Sequence, residues 1–205
     1  MTFTPPKQDR SRQSTDAFLD ALEACLNSTG MTRTTIEQVA ERAQLGRAAF
    51  LRRFGSKREA VLVLYDRYAD QCETELDRFG MGIGSYMTAE AFLTDLYAGT
   101  EQMQLAHFGL NLAMNQDFAE ELETAAGTKR VFHGFLAIME KLQDRFLPPE
   151  AKSVEGRFAA SQLIITISLN YTLRATPGLP RDAGRRHALM GQIAWLALRQ
   201  PAAPK

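Results

Sequence analysis

The sequence predicts an all-α protein of about nine helices. Apolar side chains recur at 3.6-residue spacing along nearly all of its 205 residues, and strand-like alternation is almost absent. Clusters of Gly, Pro and Ser supply the stops between periodic segments. With 45% hydrophobic and 23% charged residues, the chain has the composition of a folded globular protein. It is long enough for one large core or two smaller ones.

Residues 1–13 are polar, include Pro5 and Pro6, and predict a flexible tail. A first helix, about Thr15 to Asn27, carries Phe18, Ala21, Leu22, Cys25 and Leu26 on one face until Ser28-Thr29-Gly30 stops it. A second begins at Thr34 or Thr35. Each threonine heads a capping box, Thr34 with Glu37 and Thr35 with Gln38, so the register is open by one residue. Its apolar face is Ile36, Val39, Ala40 and Ala43, and it ends near Gln44. Leu45-Gly46 makes a turn into a third helix, about Arg47 to Arg53, with Phe50 and Phe54 one turn apart. Ser56 to Glu59 form another capping box, opening a long fourth helix that Gly80, Gly82 and Gly84 break. Helices at about 87–104, 105–113, 116–146, 153–175 and 182–199 follow, punctuated by Pro148-Pro149 and by Pro177 to Pro180. The domains this implies are the tail, a helix-turn-helix domain over 14–60 and a second helical domain over 61–205, with 200–205 as a loose end.

Several function classes are disfavoured. The longest uncharged stretch, Phe158 to Leu173, is too short and too rich in Ser, Gln, Thr and Asn to span a membrane. Met1 to Ser14 does not read as a secretory leader, so a cytoplasmic location is expected. Cys25 and Cys72 read as packed free thiols. His107, His133 and His187 lack metal-ligand spacing, and no nucleophile motif, phosphate loop or carboxylate pair stands out. No enzyme activity, metal or cofactor is therefore expected.

Net charge is zero, but its distribution is uneven. Residues 1–60 hold ten Lys or Arg against seven acids, and five of the ten lie between Arg47 and Arg58. Such clustering is the footprint of a phosphate-binding surface. A short helix entering a major groove needs small or polar residues at its exposed start. Arg47 can pair with a guanine, while Ala48 and Ala49 permit close approach or touch a thymine methyl. Thr35 and Lys57 sit at helix starts where phosphates are bound. Phe50 and Phe54 point towards the other helices and read as core.

The stretch Thr34 to Lys57 resembles the signature of the TetR family of regulators. The paired threonines, the apolar-x-x-apolar-Ala of the second helix, and Phe54 followed by Gly-Ser-Lys carry the resemblance, which is specific over roughly residues 15–65. It implies DNA contacts from Thr34, Thr35, Gly46, Arg47, Ala48, Ala49, Leu51, Arg52, Arg53 and Lys57. The chain departs from the family pattern at four places. Gln44 stands where Gly is usual, Gly46 where Ser caps, Leu51 where a Tyr contacts phosphate and Arg53 where His is common.

The resemblance also implies a C-terminal domain that dimerises and holds a small apolar or amphipathic ligand. For a homodimer interface, Ile164, Ile167, Leu189, Ile193 and Leu196 on the last two helices are the candidates. For a pocket, the candidates are Met103, His107, Phe108, Asn111, Met114 and Phe118, followed by Phe132, His133, Phe135, Gln162 and Tyr171. The expected activity is that of a repressor released from a palindromic double-stranded DNA operator by its ligand. A relative that binds ligand as a dimer without reading DNA is the alternative.

Overall fold

The computed structural model describes residues 9–173 and 178–201. Among them are ten α-helices and no strand. The helices are α1 (Asp9–Arg33), α2 (Ile36–Arg42), α3 (Arg47–Phe54), α4 (Lys57–Gly82), α5 (Ala89–Ala106), α6 (Phe108–Asp117), α7 (Ala119–Thr124), α8 (Ala126–Phe146), α9 (Val154–Leu173) and α10 (Ala183–Leu198). Short 3-10 turns lie at Ile83–Ser85 and Pro149–Ala151. The count exceeds nine because the segment expected as one helix over 116–146 is broken. Phe118 (φ −135°, ψ 30°) and Ala125 (φ −56°, ψ 132°) leave helical geometry and cut out α7.

α1 starts well before the expected Thr15, so residues 9–13 are helical; residues 1–8, 174–177 and 202–205 lie outside the described residues. The stop at Gly30 is real as a kink, with φ 74° and ψ 170°, after which one further turn carries the chain to Arg33. The long α4 runs on through Gly80 to Gly82.

The described residues form two compact units, and neither is continuous in sequence. One comprises the chain up to Asp70 together with His107–Gly127; the other comprises Gln71–Ala106 and the residues from Thr128 onward. A boundary near residue 60 therefore leaves out α6, which packs against α1 because Gly109 lets backbones touch, and α7, which packs against α6. A Cβ at Gly109 would lie 2.4 Å from the Leu26 carbonyl carbon and 2.5 Å from the Asn27 nitrogen. The Gly109 N–H donates to Asn27 Oδ1 at 2.7 Å.

The N-terminal unit is built on aromatic rings. Phe18 meets Phe50 edge-on (5.3 Å, 89°) and Phe54 nearly so (6.1 Å, 81°), within a core that includes Leu22, Leu26, Val39, Leu64, Leu110, Met114 and Phe118. Such ring pairs add about 0.5–1.5 kcal/mol beyond area burial. At the rim, Arg67 bridges Asp20 (2.7 Å) and Glu23 (3.3 Å), and Glu23 also bonds the His107 ring. Burial pushes the Glu23 carboxyl upwards, but His107 and Arg67 outweigh it and hold the carboxyl below the usual range.

The C-terminal unit packs α5, α8, α9 and α10 around Phe92, Leu93, Leu96, Tyr97, Phe135, Met139, Leu142, Ile164 and Met190. Small residues on α9 allow close approach: a Cβ at Gly156 would meet the Leu198 carbonyl oxygen at 2.5 Å. This core contains charge. Arg186 donates to both oxygens of Glu101 (3.0 and 2.9 Å), with side chains 6% and 3% exposed. Arg186 also lies over the Tyr171 ring at 3.9 Å and donates to the Pro180 and Arg181 carbonyls. His187 shares the same carboxylate. Beside them Tyr97 is fully buried; burial first, then the Glu101 charge, pushes its phenol up to about 12. Gln143 is buried too and ties α8 to the Ser153 and Leu198 carbonyls, at 3.1 and 3.0 Å.

Candidate nucleic-acid interface

Local sequence chemistry fixes the α2–turn–α3 unit. The register left open between the two threonines resolves on Thr35, whose hydroxyl accepts from Gln38 N–H (3.2 Å) while Gln38 Oε1 accepts from Thr35 N–H (2.9 Å). The end of α2 is a Schellman closure: Leu45 N–H reaches the Ala40 carbonyl (2.9 Å) and Gln44 N–H reaches that of Glu41 (3.0 Å). That closure requires a left-handed residue, and Gln44 supplies it with φ 55°. The turn thus has the geometry a glycine would adopt, at the cost of placing a side chain there.

The ten expected contact residues divide sharply. Thr35, Gly46, Arg47, Ala48 and Arg52 are exposed; Ala49, Leu51, Arg53 and Lys57 are half-buried; Thr34 is buried. Thr34 donates its hydroxyl to the Gly30 carbonyl at 2.8 Å, closing the kink in α1, so it is a structural residue and not part of the exposed face. Ala49 packs against the core.

Lys57 has partners within the protein as well. Its ammonium donates to the carbonyls of Met31 (2.8 Å) and Thr34 (2.7 Å), satisfying the end of the α1 segment. Those carbonyls give a cation at the start of α4 a structural role. Arg53 bonds the Ser11 carbonyl, the Thr15 hydroxyl and, at 3.0 Å, the Ser11 hydroxyl. It clamps α3 to α1 instead of standing free as a point charge.

Arg58 bonds the Asp117 carbonyl (3.1 Å) and Glu121 and lies over the Phe118 ring at 4.1 Å. Arg47 donates through Nε to Glu37 Oε1 at 2.6 Å. Of the five clustered cations, Arg52 alone has no hydrogen bond or ion pair among the described residues. Two of the five, Arg47 and Arg58, are thus paired with carboxylates, and Arg53 and Lys57 are held by neutral oxygens within the protein. Sequence reasoning missed Glu37, Gln38 and Arg42, which are exposed beside these residues on α2. The signal was present, since Glu37 is an acidic residue in the first turn of α2, and it is exposed.

Residues 18–63 match the family model for bacterial regulatory proteins of the tetR family. Over this segment the chain is similar to the TetR family. Solved structures of the same fold extend over most of the chain. A regulator assigned to the TetR family from Mesorhizobium loti is 15% identical, with TM-score 0.72, over 93% of this chain and 97% of that one. The fatty-acid regulator FadR of Bacillus subtilis, solved with stearoyl-CoA, is 16% identical, with TM-score 0.58, over 89% and 97%. The multidrug binding protein EbrR, solved with imidazole, is 13% identical, with TM-score 0.63, over 98% and 100%. No curated protein matches the chain in sequence.

The expected ligand residues are not gathered within either unit. In the N-terminal unit, Met114 and Phe118 are fully buried core, and His107 bonds Glu23 and stacks on Tyr68 at 4.9 Å. Asn111 is buried and Phe108 half-buried. In the C-terminal unit, Met103 is half-buried and Phe135 is core. Phe132 meets Phe158 edge-on at 5.5 Å, Tyr171 lies under Arg186, and His133 and Gln162 are exposed.

The expected dimer residues also separate. Ile164 is fully buried within its own chain because the Gly156–Ala160–Ile164–Ser168 stripe of α9 faces inward. Ile167, Leu189 and Ile193 are half-buried and Leu196 is 65% exposed. Val154 (65%) and Phe158 (49%) are the exposed apolar residues of α9. Among the described residues, no helix is long and apolar enough to cross a membrane, and no cluster of three or more metal-ligating side chains occurs.

Proposed function

We propose that the chain is a homodimeric, cytoplasmic transcriptional repressor that binds a palindromic operator and is released from it by a small apolar or amphipathic ligand. The observation that carries this reading is the α2–α3 unit, with Arg47, Ala48 and Arg52 exposed along α3 inside the segment matching the family model. In this reading Arg47 reads a base, Ala48 allows close approach, and Thr35 and Arg52 meet phosphates. The dimer is supported by Val154 and Phe158 on α9 and Leu196 on α10, apolar side chains left on the surface of one chain. The similar structures with stearoyl-CoA and with imidazole support a small-molecule partner. A ligand can release DNA only through a higher affinity for the geometry that does not fit the operator.

Selection of bound duplexes from a random pool tests the DNA reading. The expected result is an inverted repeat whose half-sites lie one helical turn apart, about 34–36 Å. Failure to bind any duplex at low salt would favour a ligand-binding dimer without sequence-specific DNA binding. For the dimer, Phe158→Asp combined with Leu196→Asp is expected to give monomers in sedimentation.

A further inference from the structure

We propose that Glu37 is a positioning residue for base reading: its carboxylate holds Arg47 by Nε, presenting the two terminal guanidinium nitrogens end-on to a guanine. This rests on the DNA-binding reading above and adds to it the part played by a residue of α2.

Arg47 is the first residue of α3 and Glu37 the second of α2. Their side chains are 59% and 64% exposed, and Arg47 Nε donates to Glu37 Oε1 at 2.6 Å. This is the one side-chain hydrogen bond of Arg47 among the described residues. A guanidinium can meet the O6 and N7 of guanine through Nε and one terminal nitrogen, or through both terminal nitrogens. With Nε occupied by Glu37, the first mode is closed and the second stays open. The surroundings suit an approaching base edge, since Gly46 has open space where a Cβ would stand and Ala48 is small and exposed.

The charge argument points the same way. A carboxylate on a face that meets phosphates repels DNA, so Glu37 weakens sequence-independent binding. Its carboxyl is held below the usual range by its own backbone N–H at the helix start, and next by Arg47. It is therefore ionised when the protein works. Acidic residues also favour the first turn of any helix, and that role needs no Arg47. The two roles predict different outcomes.

The full chain and its Glu37→Ala, Glu37→Gln and Arg47→Ala variants would each be taken through selection from a random duplex pool. Melting curves would run beside them. Arg47→Ala should lose guanine preference at one position per half-site, by roughly ten- to hundred-fold. Glu37→Ala should relax the same position, by roughly three- to ten-fold, while binding unrelated DNA as tightly or more tightly. Glu37→Gln keeps an acceptor oxygen and should retain the guanine preference. The assignment is overturned if Glu37→Ala leaves that preference intact, whether or not it lowers the melting temperature, or relaxes a different position. Failure of the unmodified chain to select any symmetric site would instead overturn the DNA reading, and this assignment with it.

Discussion

The two units place charge and apolar surface in opposite ways. The N-terminal unit has an aromatic core, and of its five cations between Arg47 and Arg58 each but Arg52 is tied to a carbonyl, hydroxyl or carboxylate. The C-terminal unit buries a Glu–Arg–His cluster inside while exposing Val154, Phe158 and Leu196. A surface whose cations are mostly held by partners within the protein suits a domain that must meet phosphates selectively instead of adhering to any polyanion. A surface with exposed apolar groups suits a domain that meets another apolar surface. The interior charges of the second unit do no such work, and their value lies in fixing one arrangement of α5 against α10.

That contrast can be broken at its strongest point. Removing one partner of a buried ion pair costs about 3–5 kcal/mol. Arg186→Ala is therefore expected to unfold the C-terminal unit first, giving a second, earlier transition in calorimetry. Arg186→Lys should recover only part of the loss, because a lysine cannot grip both Glu101 oxygens and two carbonyls together. A single unshifted transition would show that the cluster is not what holds this unit.

Gly109→Ala probes the other unit through its backbone. The added methyl would stand 2.4–2.5 Å from the backbone of Leu26 and Asn27, which cannot swing aside. A loss of about 1–3 kcal/mol is expected in denaturant titration, confined to the N-terminal unit. Gln44→Gly should act in the opposite direction, stabilising by up to about 1 kcal/mol because the left-handed φ of 55° then costs nothing. A destabilised variant would mean that the Gln44 side chain contributes more than its backbone strain costs.

The smallest effect expected is acid sensitivity at the rim. The Glu23 carboxyl is lowered by His107 and Arg67, so its contribution is complete above the usual carboxylate value of 4.5. It is lost as pH falls through the lowered folded value. Glu23→Gln should flatten the stability of the N-terminal unit over that acid range while leaving the C-terminal unit unchanged.

Local chemistry made much of this legible in advance. Capping at Thr35 and Ser56, the turn after Gln44 and the Phe50–Phe54 pair are short-range features, and each lies where spacing placed it. The partners of Lys57 and Arg53 were not legible, because the carbonyls and hydroxyls they bind belong to residues 23 to 42 positions away. Charge counted along a chain cannot tell a cation aimed at solvent from one that caps a neighbouring helix. Ile164 misled for a related reason. α9 is apolar on several sides, and only packing shows which side is taken by its own chain.

Arg53 has a practical corollary for anyone isolating the DNA-binding half of this protein. Its guanidinium is hydrogen-bonded to Ser11 and Thr15, and Ser11 lies in a stretch that looks dispensable as text. A fragment trimmed to start after Ser11 would remove two of its three hydrogen bonds, expose that charge more to solvent and loosen the tail of α3. The trimmed protein would bind polyanions more strongly and discriminate among them less, a false gain that a gel shift at one salt concentration would record as improvement.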